Sequence, residues 1–456
     1  MCSWTGPWWG VPAVSDRAIR AGKHDRAIRA GEPDRVIRAG ERLADEVEVF
    51  LVEARSVSAE LQRDRVDRAE ESRSWGMGIR VIRGGCIGAS STSDPGAWER
   101  CLQAAVDSAR LATPQEWKGL PGPGPVAGEA PCFDPAVVPS PEAAGGILGR
   151  MLEGVAAHPD ARVTSGSATL SRATLTLSNS HGLERTMERT ECGCSLEAIC
   201  GQSTGSEFDQ SPFRDIDPVK VGEQAGFLAV HSAGGEAVAD GRYPVILSPV
   251  AVAQLLGYIV VPALSGRNVH AGRSRLAPLL STRCMDPALD LRDDPFARGL
   301  GATAWDAEGV PSRRIDFVRE GMLLAFAYDL KTAYRYGKET TASAVRGGFG
   351  GSPSIGVHTL VLDGKRSDIT RDRALYVHDV VGAHTANPMS GDFSVECQNP
   401  AWMEDGILRE PVRKAMIAGN FFDALADLGG IGPDSRMVGN AILPSLRLKN
   451  LQVIGA

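Results

Sequence analysis

Any chemistry in this chain has to come from scattered carboxylates, imidazoles and thiols. Three turn-rich acidic clusters stand out in the second half: Asp293-Asp294-Pro295, Asp306-Ala-Glu308-Gly309-Val-Pro311 and Gly391-Asp392-Phe-Ser394. Carboxylates so placed serve as general acids or bases or as substrate contacts. They serve equally well as turn devices, because Asp before Pro or Gly closes turns. Cys192, Cys194 and Cys200 invite a metal-site reading. Period two argues against it: Cys192, Cys194, Leu196, Ala198 and Cys200 fall on one strand face, where free thiols act as small hydrophobes. A zinc site would also want a second ligand pair.

The eight His are dispersed, and only His378 and His384 lie close together, beside Asp379. On one strand they would stand ~20 Å apart, so a metal pair would need the interval to fold back. Structural or substrate-contacting roles are the expectation for both. There is no P-loop, no GxSxG elbow and no HExxH. Gly347-Gly-Phe-Gly-Gly351 runs into Ser-Pro-Ser-Ile without a helix to seat a pyrophosphate, so it reads as a flexible or tightly turned loop.

The stretch Gly241–Gly266 is the chain's main positioning element. Tyr243–Leu247 reads as a strand, Ser248-Pro249 as N-cap and first helical residue, and Val250 onward as a buried helix too short to cross a membrane. Other strands are expected at 46–53, 56–63, 75–83 and 86–90, with Gly84-Gly85 as a hairpin turn. A helix follows over 95–112. A second helix runs from the Ser140 cap to about His158, then strands at 162–170, 173–178 and 183–189 around the turn Asn179–Gly182. Further β stretches are expected at 314–317, 323–328, 358–362, 375–380, 394–397 and 448–454. One more helix is expected over Pro411–Leu428, closed by Gly429-Gly430.

The 456 residues allow two or three domains. The boundaries read as an extension over 1–42, a small α+β domain over 43–112, a Pro/Gly linker over 113–139, a central α/β region over 140–235 and a β-rich domain over 236–456. The extension holds a nine-residue unit three times, from Asp16, Asp25 and Asp34, and is expected to be poorly ordered except for helix in its last copies. A net charge of −7 argues against general nucleic-acid binding. Nine scattered cysteines form no disulfide framework, and no signal-peptide pattern opens the chain, so a reducing cytoplasm is the expected location.

Taken in order, the landmarks resemble the TldD/PmbA family, the so-called modulators of DNA gyrase or U62-type metallopeptidases. They are Ser74–Thr92, Tyr243–Gly266, Asp293-Asp294-Pro295, Asp306–Arg313, Gly321-Met-Leu, Thr340–Arg346, Tyr376–His384, Gly391–Ser394, Ile417–Asn420 and Pro444–Gly455. Coverage runs from about Leu43 to the end. The resemblance implies an α+β fold: a small N-terminal α+β domain, a central α/β region and a large β-rich C-terminal domain. TldD-like members carry His-Glu-x-x-x-His on the helix after the strand that Tyr243–Leu247 resembles, with a late Cys, a donor set suited to zinc.

Here Gly257, Tyr258 and Pro262 stand where His, Glu and His would, and no Cys follows Cys397. The resemblance therefore implies the PmbA/TldE-like branch: a non-catalytic subunit with no metal of its own, zinc being held by a TldD-like partner. The implied partners are that subunit, or a second copy, and unfolded peptide, with no direct nucleic-acid or membrane contact. Asp294, Glu308, Arg346, Gly348, Gly350, His384 and Asp392 are the candidate substrate-binding residues. The alternatives are a self-standing peptidase using Asp294, Glu308, His384 and Asp392, or a homodimeric modulator of another enzyme such as gyrase.

Overall fold

A computed structural model describes residues 32–126 and 128–455. Sequence readings on residues 1–31 lie outside the described residues. Helix α1 (Glu32–Gly40) takes in the third nine-residue copy as far as Gly40 and packs Val36 and Ile37 into the core.

Six strands form the first sheet: β1 (Glu46–Gln62), β2 (Arg65–Arg83), β3 (Cys86–Thr92), β4 (Arg162–Asn179), β5 (Glu184–Cys200) and β6 (Ser203–Ser211), in the order β3-β2-β1-β4-β5-β6. The stretches on both sides of the Pro/Gly linker thus contribute to one sheet, joined where β1 and β4 pair antiparallel over Glu48–Gln62. The breaks expected within β1, β4 and β5 do not exist. Ser171 and Arg172 looked like an interruption, yet both stay in register with Ser56 and Arg55. Polar residues simply continue the strand here, where the sheet's second face stays accessible: Ser171 is half-buried and Arg172 exposed.

Helix α2 (Trp98–Leu111) covers β1–β3 through Cys101, Leu102, Ala105, Val106 and Ala109. Helices α3 (Pro141–Val155) and α4 (Pro218–His231) cover the other half, meeting at Gly154 and Gly222. A Cβ on Gly154 would sit 1.9 Å from the Val219 carbonyl oxygen, so only Gly allows that approach. Cys192, Cys194, Leu196 and Ala198 are buried under these helices, as period two predicts. Burial pushes the Cys192 and Cys194 thiols up to about 11 and about 12.

From Gly241 the chain builds a six-stranded and a nine-stranded sheet around one core. Strand β7 (Gly241–Leu247) is central to the larger sheet. It pairs parallel with Ala374–Val377 and antiparallel with the closing strand Leu446–Gly455. Val245, Ile246 and Leu247 are all buried, so both faces of β7 are covered. Two expectations fail here. Pro411–Leu428 is not one helix: Ala415–Asn420 is a strand between Asp392–Gln398 and Leu446–Gly455, and only Phe421–Ala426 is helical. Of 323–328, only Leu323 joins a strand; the residues beyond run to Ala327, whose carbonyl accepts from Gly266 N at 2.8 Å. Among the described residues, no helix is long and apolar enough to cross a membrane.

Candidate functional site

Ser248 caps the helix that follows β7. Its hydroxyl oxygen accepts from Val250 N at 3.1 Å and Ala251 N at 3.3 Å, and its O–H donates to the His378 carbonyl. The helix opens as α5 (Pro249–Leu255), loosens into a π turn over Leu256–Val260, and closes as α6 (Val261–Leu264). Val261 N reaches back to Leu256 O, which places one extra residue in this turn. Such turns are uncommon and recur at functional sites. Gly257 and Tyr258 lie inside it.

Most of this helix is buried; Gln254, Tyr258, Val261 and Pro262 are its partly exposed residues. Tyr258 meets the exposed His384 edge to face, ring centroids 6.3 Å apart. Burial raises the Tyr258 phenol above its ordinary value, so a phenolate is disfavoured. Gly257 is buried and has no side-chain donor, and Pro262 offers only its carbonyl, which accepts from Asn268 Nδ2 at 2.8 Å. These three residues do not fit zinc, which needs imidazole, thiolate or carboxylate. No group of three His, Cys, Asp or Glu among the described residues could hold a metal ion.

His384 and Asp392 flank one loop. Ser390 Oγ donates to Asp392 at 2.7 Å, and Asn420 Nδ2 bridges Asp392 and Ser390 O. Arg275 locks the same loop through Ser390 O and Asn420. Asp392 is exposed, and its Ser390 and Asn420 donors hold the carboxyl below its usual range.

Glu308 and Arg346 come together elsewhere, in a buried network with Glu48 of β1 and Arg80 of β2. Arg80 donates to Glu48 at 2.6 and 3.1 Å and to Glu308 at 2.8 Å, and Arg346 also pairs with Glu48. Leu330 N donates to Glu308 at 2.7 Å. Trp117 closes the network from the linker, its ring against the Arg80 guanidinium and its Nε1–H donating to Glu46 at 2.9 Å. Burial works against the charge on Glu48, but Arg346 and Arg80 outweigh it and hold the carboxyl low. Burial, reinforced by Asp306 and Asp329 against the pull of Arg80, holds Glu308 high.

Gly348 and Gly350 flank Phe349, whose ring lies against Gly76 and whose carbonyl lies against Gly78 of β2. The Gly-rich loop is thus seated on the first sheet. Asp294 caps a turn, accepting from Phe296 N at 3.2 Å, next to Asp293, which binds His358 N and Thr359 N. The seven candidates therefore divide: Glu308 and Arg346 in a buried network, Gly348 and Gly350 on the sheet, His384 beside Tyr258, Asp392 in the loop held by Ser390 and Asn420, and Asp294 in its own turn.

Sequence reading missed Glu48 and Arg80. Glu46 and Glu48 alternate with Val47 and Val49 as on a half-buried strand, and Arg80 between Ile79 and Val81 names no partner, so the burial of both comes from tertiary packing. It also missed Glu207 of β6, which pairs with Arg436 and lies 3.6 Å from His378 Nε2.

Family models described as PmbA/TldA metallopeptidase domain 1, central domain and C-terminal domain match residues 47–109, 134–233 and 240–455. Metalloprotease PmbA of Escherichia coli O157:H7 is 25% identical over 432 residues, covering 90% of this chain and 93% of its own. An uncharacterised protein of Methanocaldococcus jannaschii is 27% identical over 421 residues, covering 90% and 96%. The crystal structure of TldE from Thermococcus kodakarensis matches with a TM-score of 0.86 at 26% identity, over 93% of this chain and all (100%) of that one. A putative modulator of a DNA gyrase from Thermotoga maritima shares the fold, with a TM-score of 0.83 at 24% identity over 93% and 99%.

Proposed function

The chain belongs to the TldD/PmbA family of metallopeptidases, and from that premise we propose that it is a PmbA/TldE-like, non-catalytic subunit. In this reading it pairs with a TldD-like, zinc-bearing chain in the cytoplasm and helps enclose unfolded peptides for cleavage. One observation carries the proposal. The partly exposed face of the helix after β7 presents Tyr258 and Pro262, with Gly257 buried beside them, where the family's ligands and base would stand. A metal-bound water would have neither ligands nor a base there. The chain's contribution is then scaffold and peptide contact, with hydrolysis left to the partner.

The test is native mass measurement of the tagged chain isolated from its own cells, with zinc and peptidase activity determined on the same sample. The expected result is a complex of two different chains holding zinc, active on unstructured peptides, while the chain alone is inactive and zinc-poor. A homo-oligomer with stoichiometric metal and its own peptidase activity would overturn the proposal in favour of a self-standing peptidase.

A further inference from the structure

Beyond Pro262 the chain turns at Ser265 into α7 (Gly266–His270), which packs against α8 (Leu330–Arg335). The His270 ring stacks on Tyr336 with centroids 3.9 Å apart and planes 8° from parallel. Tyr328 Oη lies 3.2 Å from His270 Nε2, and the same Tyr328 ring leaves room for no side chain at Gly266. This aromatic clasp fixes the two short helices side by side. It also fixes what they carry.

Arg267 and Arg273 flank His270, while Lys331, Arg335 and Lys338 flank Tyr336, and all five are exposed. None forms an ion pair with a carboxylate among the described residues; Arg335 lies against the Tyr336 ring at 5.5 Å. Across 263–275 and 330–340 the one carboxylate is Glu339, and Arg275 is spent on Asp423. In a chain of net charge −7, five unpaired cations on one clasp form a concentrated positive patch.

We propose that this α7–α8 patch binds carboxylate-bearing peptide segments, holding acidic stretches of an unfolded chain beside the helix that carries Tyr258 and Pro262. The inference rests on the peptide-handling reading above and names a substrate class for it. Guanidinium and ammonium groups on a rigid base match carboxylates spaced along an extended chain. Nucleic acid fits less well. A long phosphate backbone would run beyond the patch onto a chain of net charge −7, and the Tyr336 ring is already taken by His270 and Arg335.

The test measures binding by fluorescence anisotropy to the full chain, alone and in its co-purified complex. The probes are a labelled peptide of alternating Glu and Ser, its Gln-Ser analogue, and a single-stranded oligonucleotide of similar length. The Glu peptide is expected to bind more tightly than both others and to weaken as salt rises. The double variant Arg335→Gln/Lys338→Gln is expected to lose about fivefold in affinity for the Glu peptide, as suits two exposed contacts, with no change for the Gln analogue. The double variant Arg373→Gln/Lys449→Gln, two cations paired with Glu410 and Asp427 elsewhere, controls for net charge and should leave binding unchanged. Equal binding of the two peptides, or an unaffected double variant, overturns the patch while leaving peptide handling intact. Tighter oligonucleotide binding overturns it in favour of nucleic acid. Failure of both chain and complex to bind either peptide overturns both readings.

Discussion

Arg80 and Glu308 stand 228 positions apart in sequence and 2.8 Å apart in space, both nearly sealed from solvent. Their contact, with Glu48 and Arg346, is a polar seam between the first sheet and the C-terminal domain. Breaking a buried pair from one side leaves an uncompensated charge.

Glu48→Gln is therefore expected to destabilise the chain by ~3–5 kcal/mol, because Arg80 and Arg346 lose their shared carboxylate. Thermal or urea unfolding measures this. Glu71→Gln, at an exposed pairing with Arg55 and Arg73, is the control and should leave the unfolding midpoint nearly unchanged. Equal effects of the two variants would show the seam to be energetically idle.

The same seam sets opposing pH dependences. Glu48 is held below its ordinary value of 4.5, so its contribution is present above that value and lost as pH falls through the folded-state value. Glu308 is held above 4.5, so its contribution is complete below that value and lost as pH rises through the folded-state value. Stability profiles against pH should show Glu48→Gln flattening the acid limb and Glu308→Gln the opposite limb. Parallel profiles for wild type and both variants would contradict the assignment.

Phe349 seats the Gly-rich loop on β2 through two glycines. A Cβ at Gly78 would stand 2.1 Å from the Phe349 carbonyl oxygen, and one at Gly76 2.1 Å from its ring. Gly78→Ala is expected to cost about 1–3 kcal/mol through forced backbone movement. Gly122→Ala in the linker, with nothing within 4 Å, should cost far less. Unfolding midpoints of the two variants decide the matter, and indistinguishable values would remove Phe349 as an anchor.

Tyr258→Phe tests whether the π turn still holds a reacting group. The phenol donates to no described residue, and burial keeps it neutral. Peptidase activity of the purified complex should stay within about twofold of wild type, whereas losing a general acid or base costs ~10²–10⁴. A loss of that larger size would make Tyr258 part of the chemistry.

Local signals were readable where local physics decides. Ser248-Pro249 announced its cap, and Cys192, Cys194, Leu196 and Ala198 announced their buried face by alternation. Ala415–Asn420 did not announce itself, because its strand conformation comes from neighbours at 392–398 and 446–455. The same holds for the site. Gly257, Tyr258 and Pro262 were visible as departures from a family pattern, but the π turn around them was not. Glu308 and Arg346 were named as substrate contacts on resemblance, while the buried network that holds them with Glu48 and Arg80 is set by tertiary packing that no spacing encodes.

The β1–β4 pairing also bears on how the chain may be cut. Residues 113–139 connect two stretches that are already held together by an unbroken antiparallel ladder over Glu48–Gln62 and by Arg80 reaching Glu308. A nick in that connection would leave two fragments with a complete interface between them. Expressed separately, 1–120 and 121–456 should reassociate without a covalent link, as complementing halves of one protein. Removing the first fragment outright would strip β4 of its partner and expose a long sheet edge open to aggregation.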